Sequence, residues 1–139
     1  MSSTDERPTT AVGSSRARPL ILIVEDQSEL RQLYAYQLTI SGFDVIEAED
    51  GAAALADTAT HAPDVVLMDL SLPIVDGWEA TRRLKADQRT AHIPVVALTA
   101  HDGSGELERA TDAGCDWFVP KPCPPDALVS GVRRVLARA

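Results

Sequence analysis

The sequence predicts a three-layer α/β sandwich, a five-stranded parallel sheet with helices on both faces, and two observations carry this. Short apolar runs alternate five times with helix-period segments along the 139 residues. Most of these runs are apolar throughout, as strands buried on both faces must be. Parallel neighbours also need crossover connections, which the intervening helices supply with right-handed geometry.

Each element can be justified in turn. Leu20–Val24 is a continuous apolar run that ends in Glu25 and Asp26. A helix follows, with Leu30, Leu33, Tyr34 and Leu38 at helical spacing and Gly42 as its C-terminal cap. Asp26 and Glu29 also form a D-x-x-E capping pattern at its start. Phe43–Ala48 alternates only partly, as a strand near a sheet edge would, and Asp50 can cap the alanine-rich helix after it. Asp64–Met68 is a second buried strand, ending in Asp69, and Leu72–Val75 is a loop. Asp76 with Glu79 is a capping box for a helix through Lys85. Pro94–Leu98 is a third buried strand, ending in Thr99; a glycine-containing loop and a short helix to Ala113 follow. Cys115–Val119 is the last strand, ending in Pro120, Lys121 and Pro122. Pro124 and Pro125 open the final helix, whose apolar face holds Leu128, Val132, Val135 and Leu136.

The first 18 residues are polar and rich in Ser and Thr, with too little apolar surface to offset their ordering entropy. Residues 1–18 are therefore expected to be a disordered leader or linker, and residues 19–139 one folded domain. The net charge of -8 argues against non-specific nucleic-acid binding, which needs a basic surface to release counterions. No apolar run approaches the ~18 residues of a membrane span, and the N-terminus lacks a signal peptide's apolar stretch. Two cysteines, Cys115 and Cys123, make no disulfide framework. A cytoplasmic protein is expected.

In a doubly wound sheet the functional site lies beyond the carboxyl ends of the strands. Those ends carry Glu25 and Asp26, Asp69, Thr99 and Lys121. Three carboxylates at one edge repel: a pair at 4 Å costs about 4 kcal/mol at an effective dielectric of 20. Protonation or a hard divalent cation would offset this, and Mg²⁺ suits carboxylates combined with water and phosphate oxygens. The chain has only two lysines, Lys85 and Lys121, against eleven arginines. Its choice of Lys between two prolines suits a compact phosphoryl clamp. Together these groups are the parts for placing a phosphoryl group on an aspartate.

From Leu20 to its end the sequence resembles the response-regulator receiver domain of bacterial two-component signalling, in a single-domain, chemotaxis-type form. The elements that carry the resemblance are the acidic pair in ILIVEDQ, the block VVLMDLSLPIVDGWE, and the segments PVVALTA and FVPKP, in family order. The resemblance implies a flavodoxin-like sheet of strand order 2-1-3-4-5. It implies that Asp69 accepts phosphoryl from a sensor histidine kinase or histidine phosphotransfer protein. Mg²⁺ would be held by Asp26 and Asp69, by the Ser71 backbone carbonyl, and by Glu25 acting through water. Lys121 would contact the phosphoryl group, Thr99 would be the switch hydroxyl and Phe118 the switch aromatic. The output would be a protein target on the face of the fourth helix, fifth strand and fifth helix, with no direct nucleic-acid or membrane role. Such a protein is a signalling phosphoacceptor that assists its own phosphorylation and dephosphorylation, not a turnover enzyme.

Several positions vary on the family pattern. The acidic pair is Glu-Asp, Phe118 stands where Tyr is frequent, and Cys123 follows Lys121-Pro122, a bond usually cis in such domains. By the same resemblance, Ser71 and His101 fall at positions that tune dephosphorylation in the family. Other readings are a phosphorylation-independent interaction module on the same fold and a phosphatase with an aspartate nucleophile. The D-x-D of haloacid-dehalogenase-like enzymes is missing, because the first strand ends in Glu25-Asp26-Gln27-Ser28. No phosphate-binding glycine loop is present either.

Overall fold

The computed structural model describes residues 16–72, 75–100, 106–121 and 124–138. In chain order the elements are β1 (Leu20–Val24), α1 (Ser28–Ile40), β2 (Asp44–Ala48), α2 (Gly51–His61), β3 (Val65–Asp69), α3 (Gly77–Ala86), β4 (Val95–Ala100), α4 (Glu106–Ala113), β5 (Trp117–Lys121) and α5 (Pro125–Arg138). All strand pairs are parallel, in the order β2-β1-β3-β4-β5. The expected fold class is what forms.

Strand period decides the layers. In β1, Ile21 and Ile23 enter one core while Leu22 and Val24 enter the other. In β3, Val65 and Leu67 join the first pair, and Val66 and Met68 the second. The first core is closed by Tyr34 and Leu38 of α1 with Leu128, Val129, Val132 and Val135 of α5. The second is closed by Ala54 of α2, Ala80 and Leu84 of α3, and Ala110 of α4. Because β1 and β3 are central, every position of β3 and all but the first of β1 are buried. The outer β2 and β5 bury one residue each, Ala48 and Val119. Among the described residues no helix is long and apolar enough to cross a membrane.

Local chemistry ends the helices where the residue types allow. Asp50 Oδ1 accepts from Ala53 N at 2.7 Å, and Asp76 Oδ1 from Glu79 N at 2.8 Å. Glu79 does not complete a reciprocal box; its carboxylate is taken by Arg82 and Arg83 on the same helix. Gly42 closes α1 with φ of +105°.

Three further readings need correction. Leu33 is 49% exposed, so it does not belong to the apolar stripe of α1 that packs inward. The N-cap of α1 is Gln27, with no side-chain cap, so Asp26 is not a capping residue. The last strand is Trp117–Lys121, two residues later than Cys115–Val119. Asp116 causes the shift. Its N–H donates to Val95 O at 2.8 Å and its carboxylate accepts from Val95 N and Lys85 Nζ, which ties this corner before pairing begins. Pro120 is tolerated inside β5 because an edge strand needs no donor on its open side.

The segment before β1 is held at its last residues. Arg16 donates to the carbonyls of His61 and Ala62 and to Asp64, and Arg18 donates to Asp44 and to the carbonyls of Thr39 and Phe43. Guanidinium groups there add donors to carbonyls at the carboxyl ends of α1 and α2 and to the Phe43 carbonyl ahead of β2.

Candidate phosphoryl and metal site

Parallel pairing brings the carboxyl ends of β1, β3, β4 and β5 to one edge, and each end delivers its polar residue there. Glu25 and Asp26 follow β1 directly, Asp69 ends β3, Thr99 lies near the end of β4, and Lys121 ends β5. Register explains the alignment. Asp69 pairs with Leu98, one before Thr99, and Thr99 faces Pro120, one before Lys121.

Glu25 is fully buried, Asp69 is 3% exposed, and Asp26 lies at the surface. Each offers one oxygen, and these oxygens lie within 4.8 Å of one another. Lys121 Nζ donates to Asp69 Oδ1 at 3.1 Å and stands 3.8 Å from Glu25 Oε1. Ser71, exposed and two residues past Asp69, donates its N–H to the same Oδ1 at 3.2 Å. Thr99 is 3% exposed. Phe118 is half-buried against the core closed by α2, α3 and α4. Pro122, Cys123 and His101 lie outside the described residues.

The electrostatics follow from burial. Glu25 has its pKa pushed up to about 7, first by desolvation and then by the Asp69 charge. The neighbouring Asp26 carboxyl adds to the rise; the Gln27 N–H and Lys121 oppose it. Among the described residues, Oε1 of Glu25 is buried with no hydrogen-bond partner. With Lys121 Nζ 3.8 Å away and already bonded to Asp69, an oxygen buried beside two more carboxylates is costly unless further positive charge fills the gap. The donor set is all oxygen and hard, so these residues fit a divalent cation such as Mg²⁺.

Two contributors carry no signal in a search for reactive side chains. One is Gly77. A Cβ there would lie 2.4 Å from the Asp69 carbonyl oxygen and 2.6 Å from Leu70 Cα. Only a bare backbone lets the start of α3 rest on the segment that carries Asp69. The Asp-Gly pair at a helix start was the available clue. Gly77→Ala would gain up to about 1 kcal/mol of helix propensity. The clash is with backbone and cannot relax through a rotamer, so a net loss of about 1–3 kcal/mol is expected in urea unfolding. An unchanged midpoint would show that α3 can move off β3 freely. The second is Arg31, whose Nη1 donates to the Glu25 carbonyl at 2.8 Å.

Comparison with known proteins bears on this arrangement. Residues 21–133 match the family model described as the response regulator receiver domain. The polar-differentiation response regulator DivK of Brucella abortus is 35% identical over 119 residues, covering 86% of this chain and 97% of that protein. The receiver domain of a signal transduction histidine kinase from Syntrophus aciditrophicus superposes with a TM-score of 0.82 at 30% identity, over 87% of this chain and 92% of that one. The receiver domain of a sensor histidine kinase from Pseudomonas aeruginosa, with a magnesium ion coordinated in its active site cleft, gives a TM-score of 0.76 at 31% identity, over 88% and 97%.

Proposed function

The chain belongs to the response-regulator receiver family, and on that premise we propose that it takes a phosphoryl group from a partner's phosphohistidine onto Asp69. The observation that supports this most directly is the pairing of Lys121 with a nearly buried Asp69 inside a cluster of three carboxylates.

Chemically, an Asp69 carboxylate oxygen attacks phosphorus, the P–N bond of the donor breaks, and the imidazole leaves with that electron pair. Oδ1 holds the Ser71 N–H and the Lys121 ammonium. We therefore assign the attack to Oδ2, with Oδ1 fixing the carboxylate plane. Lys121 then contacts an oxygen of the transferred group, a fixed positive charge where negative charge accumulates. Asp26, Asp69 and the Ser71 carbonyl would hold Mg²⁺, with Glu25 acting through water, and the ion when bound would neutralise charge on the phosphoryl oxygens. The readout follows from one added dianion. The Thr99 hydroxyl turns towards it, Phe118 fills the space released, and the surface of α4, β5 and α5 shifts towards its partner-binding form. The partners are a histidine kinase or phosphotransfer protein on one side and a protein target on the other.

The Lys121→Met protein tests the clamp, because it keeps the stem and removes the charge. With a small phosphodonor and Mg²⁺, its rate of phosphoryl uptake is expected to fall by at least about tenfold, the lower end for loss of one fixed charge on a reacting group. A rate equal to the parent's would remove Lys121 from the mechanism.

A further inference from the structure

Glu25 has four polar atoms, and three of them are tied. Its N–H donates to Ala48 O at 3.1 Å, its Oε2 accepts from Gln27 N at 3.2 Å, and its carbonyl accepts from Arg31 Nη1 at 2.8 Å. Among the described residues, Oε1 alone of the four has no hydrogen-bond partner. The first two bonds come from backbone and depend on no particular side chain. The third depends on Arg31 alone. It is charge-assisted and partly buried, with the Arg31 side chain 16% exposed, so water competes with it poorly.

The carbonyl that Arg31 holds belongs to the peptide plane between Glu25 and Asp26. The orientation of that plane sets how the two neighbouring carboxylates stand to each other. A free plane could turn and carry Asp26 away from Glu25 and Asp69. Arg31 also reaches Glu47 of β2, Nε to Oε1 at 3.0 Å. Glu47 is 39% exposed there, so this ion pair steers the guanidinium but contributes little by itself.

We propose that Arg31 is a positioning residue of the acidic site: by holding the Glu25 carbonyl it keeps the Glu25–Asp26 peptide plane in the one orientation that turns both carboxylates towards a shared cation. This rests on the phosphoacceptor reading, since it concerns the same cluster. Arg31 touches no reacting atom, and its effect passes through the backbone.

The test uses Arg31→Gln, too short to reach the carbonyl, and Glu47→Gln, which removes the ion pair and leaves the carbonyl bond. Mg²⁺ affinity is measured by calorimetry, and exchange of the Gln27 amide is measured by NMR on the metal-free proteins. Arg31→Gln is expected to bind Mg²⁺ at least about tenfold more weakly, the usual loss for a residue that orients a ligand. Its Gln27 amide should exchange faster while that of Leu67 in the core does not change. Glu47→Gln should stay within about twofold of the parent, as an exposed ion pair implies. Arg31→Gln binding as tightly as the parent would overturn the proposal, and so would Glu47→Gln losing as much as Arg31→Gln. Should the parent itself bind no Mg²⁺, the metal reading falls, and Gln27 exchange alone decides the role of Arg31. Acceleration confined to Arg31→Gln upholds it, and no acceleration refutes it.

Discussion

Asp69→Asn protein incubated with a small-molecule phosphodonor and Mg²⁺ should show no phosphoryl adduct by intact mass, while the parent gains a single one that a chelator prevents. The amide of asparagine is a poor nucleophile and cannot form an acyl phosphate, so the loss should be complete and not partial. The fold should survive. Asp69 contributes a carboxylate whose near neighbours include two more carboxylates, so removing its charge relieves repulsion. The neighbouring group should respond as well. The Asp69 charge is the second cause of the raised Glu25 pKa, so Glu25 should titrate closer to its ordinary range in the variant. A Mg²⁺-dependent adduct retained in Asp69→Asn would show that another residue accepts the group.

Glu25→Gln should act in opposite directions on stability and on metal affinity. The folded pKa of Glu25 is about 7 against an ordinary value of 4.5. Between those values the folded protein binds more protons here than the unfolded chain does, so the stability of the metal-free protein falls as pH rises. The favourable contribution is complete below about pH 4.5 and lost on passing pH 7. At pH 8 the parent therefore carries an ionised, buried and incompletely matched carboxylate. Glutamine has nearly the same shape and no charge. Metal-free Glu25→Gln is expected to be more stable than the parent at pH 8 by on the order of 2 kcal/mol, with the difference shrinking towards pH 5. Saturating Mg²⁺ should narrow or reverse the ranking, because a ligand at 100 times its Kd adds about 2.7 kcal/mol to the protein that binds it. Urea unfolding at several pH values, with and without Mg²⁺, measures both effects. A stability difference independent of pH would show that Glu25 does not titrate in this window.

Much of the architecture was legible because it depends on pattern. Apolar runs such as Leu20–Val24 and Val65–Met68 fit strands buried on both faces, and partial alternation in Phe43–Ala48 marks an edge. The gathering of the candidate residues at one edge was legible for a related reason. A polar residue directly after a buried strand must emerge at the strand's carboxyl end, and a parallel sheet gathers those ends. Less legible were features set by partners distant in sequence. Leu33 fits the apolar spacing of α1 and yet is exposed, because periodicity does not show how far round the helix its neighbours reach. The start of β5 was displaced because Asp116 is engaged by Val95 and Lys85, 21 and 31 residues away.

Sequence alone was sufficient for the order of elements, the parallel sheet and the set of charged groups at one edge. All three follow from local period and from the chirality of the chain. Tertiary structure decided which helices cover which face, with α1 and α5 on one side and α2, α3 and α4 on the other. It also decided how the acidic groups differ. Glu25 and Asp26 are adjacent in the chain, yet one is fully buried with a raised pKa and the other lies at the surface. Asp69 is distinguished by the ammonium of Lys121, 52 residues away. Burial and charge pairing are properties of neighbours in space, and the fold assembles those neighbours from separate stretches of the chain.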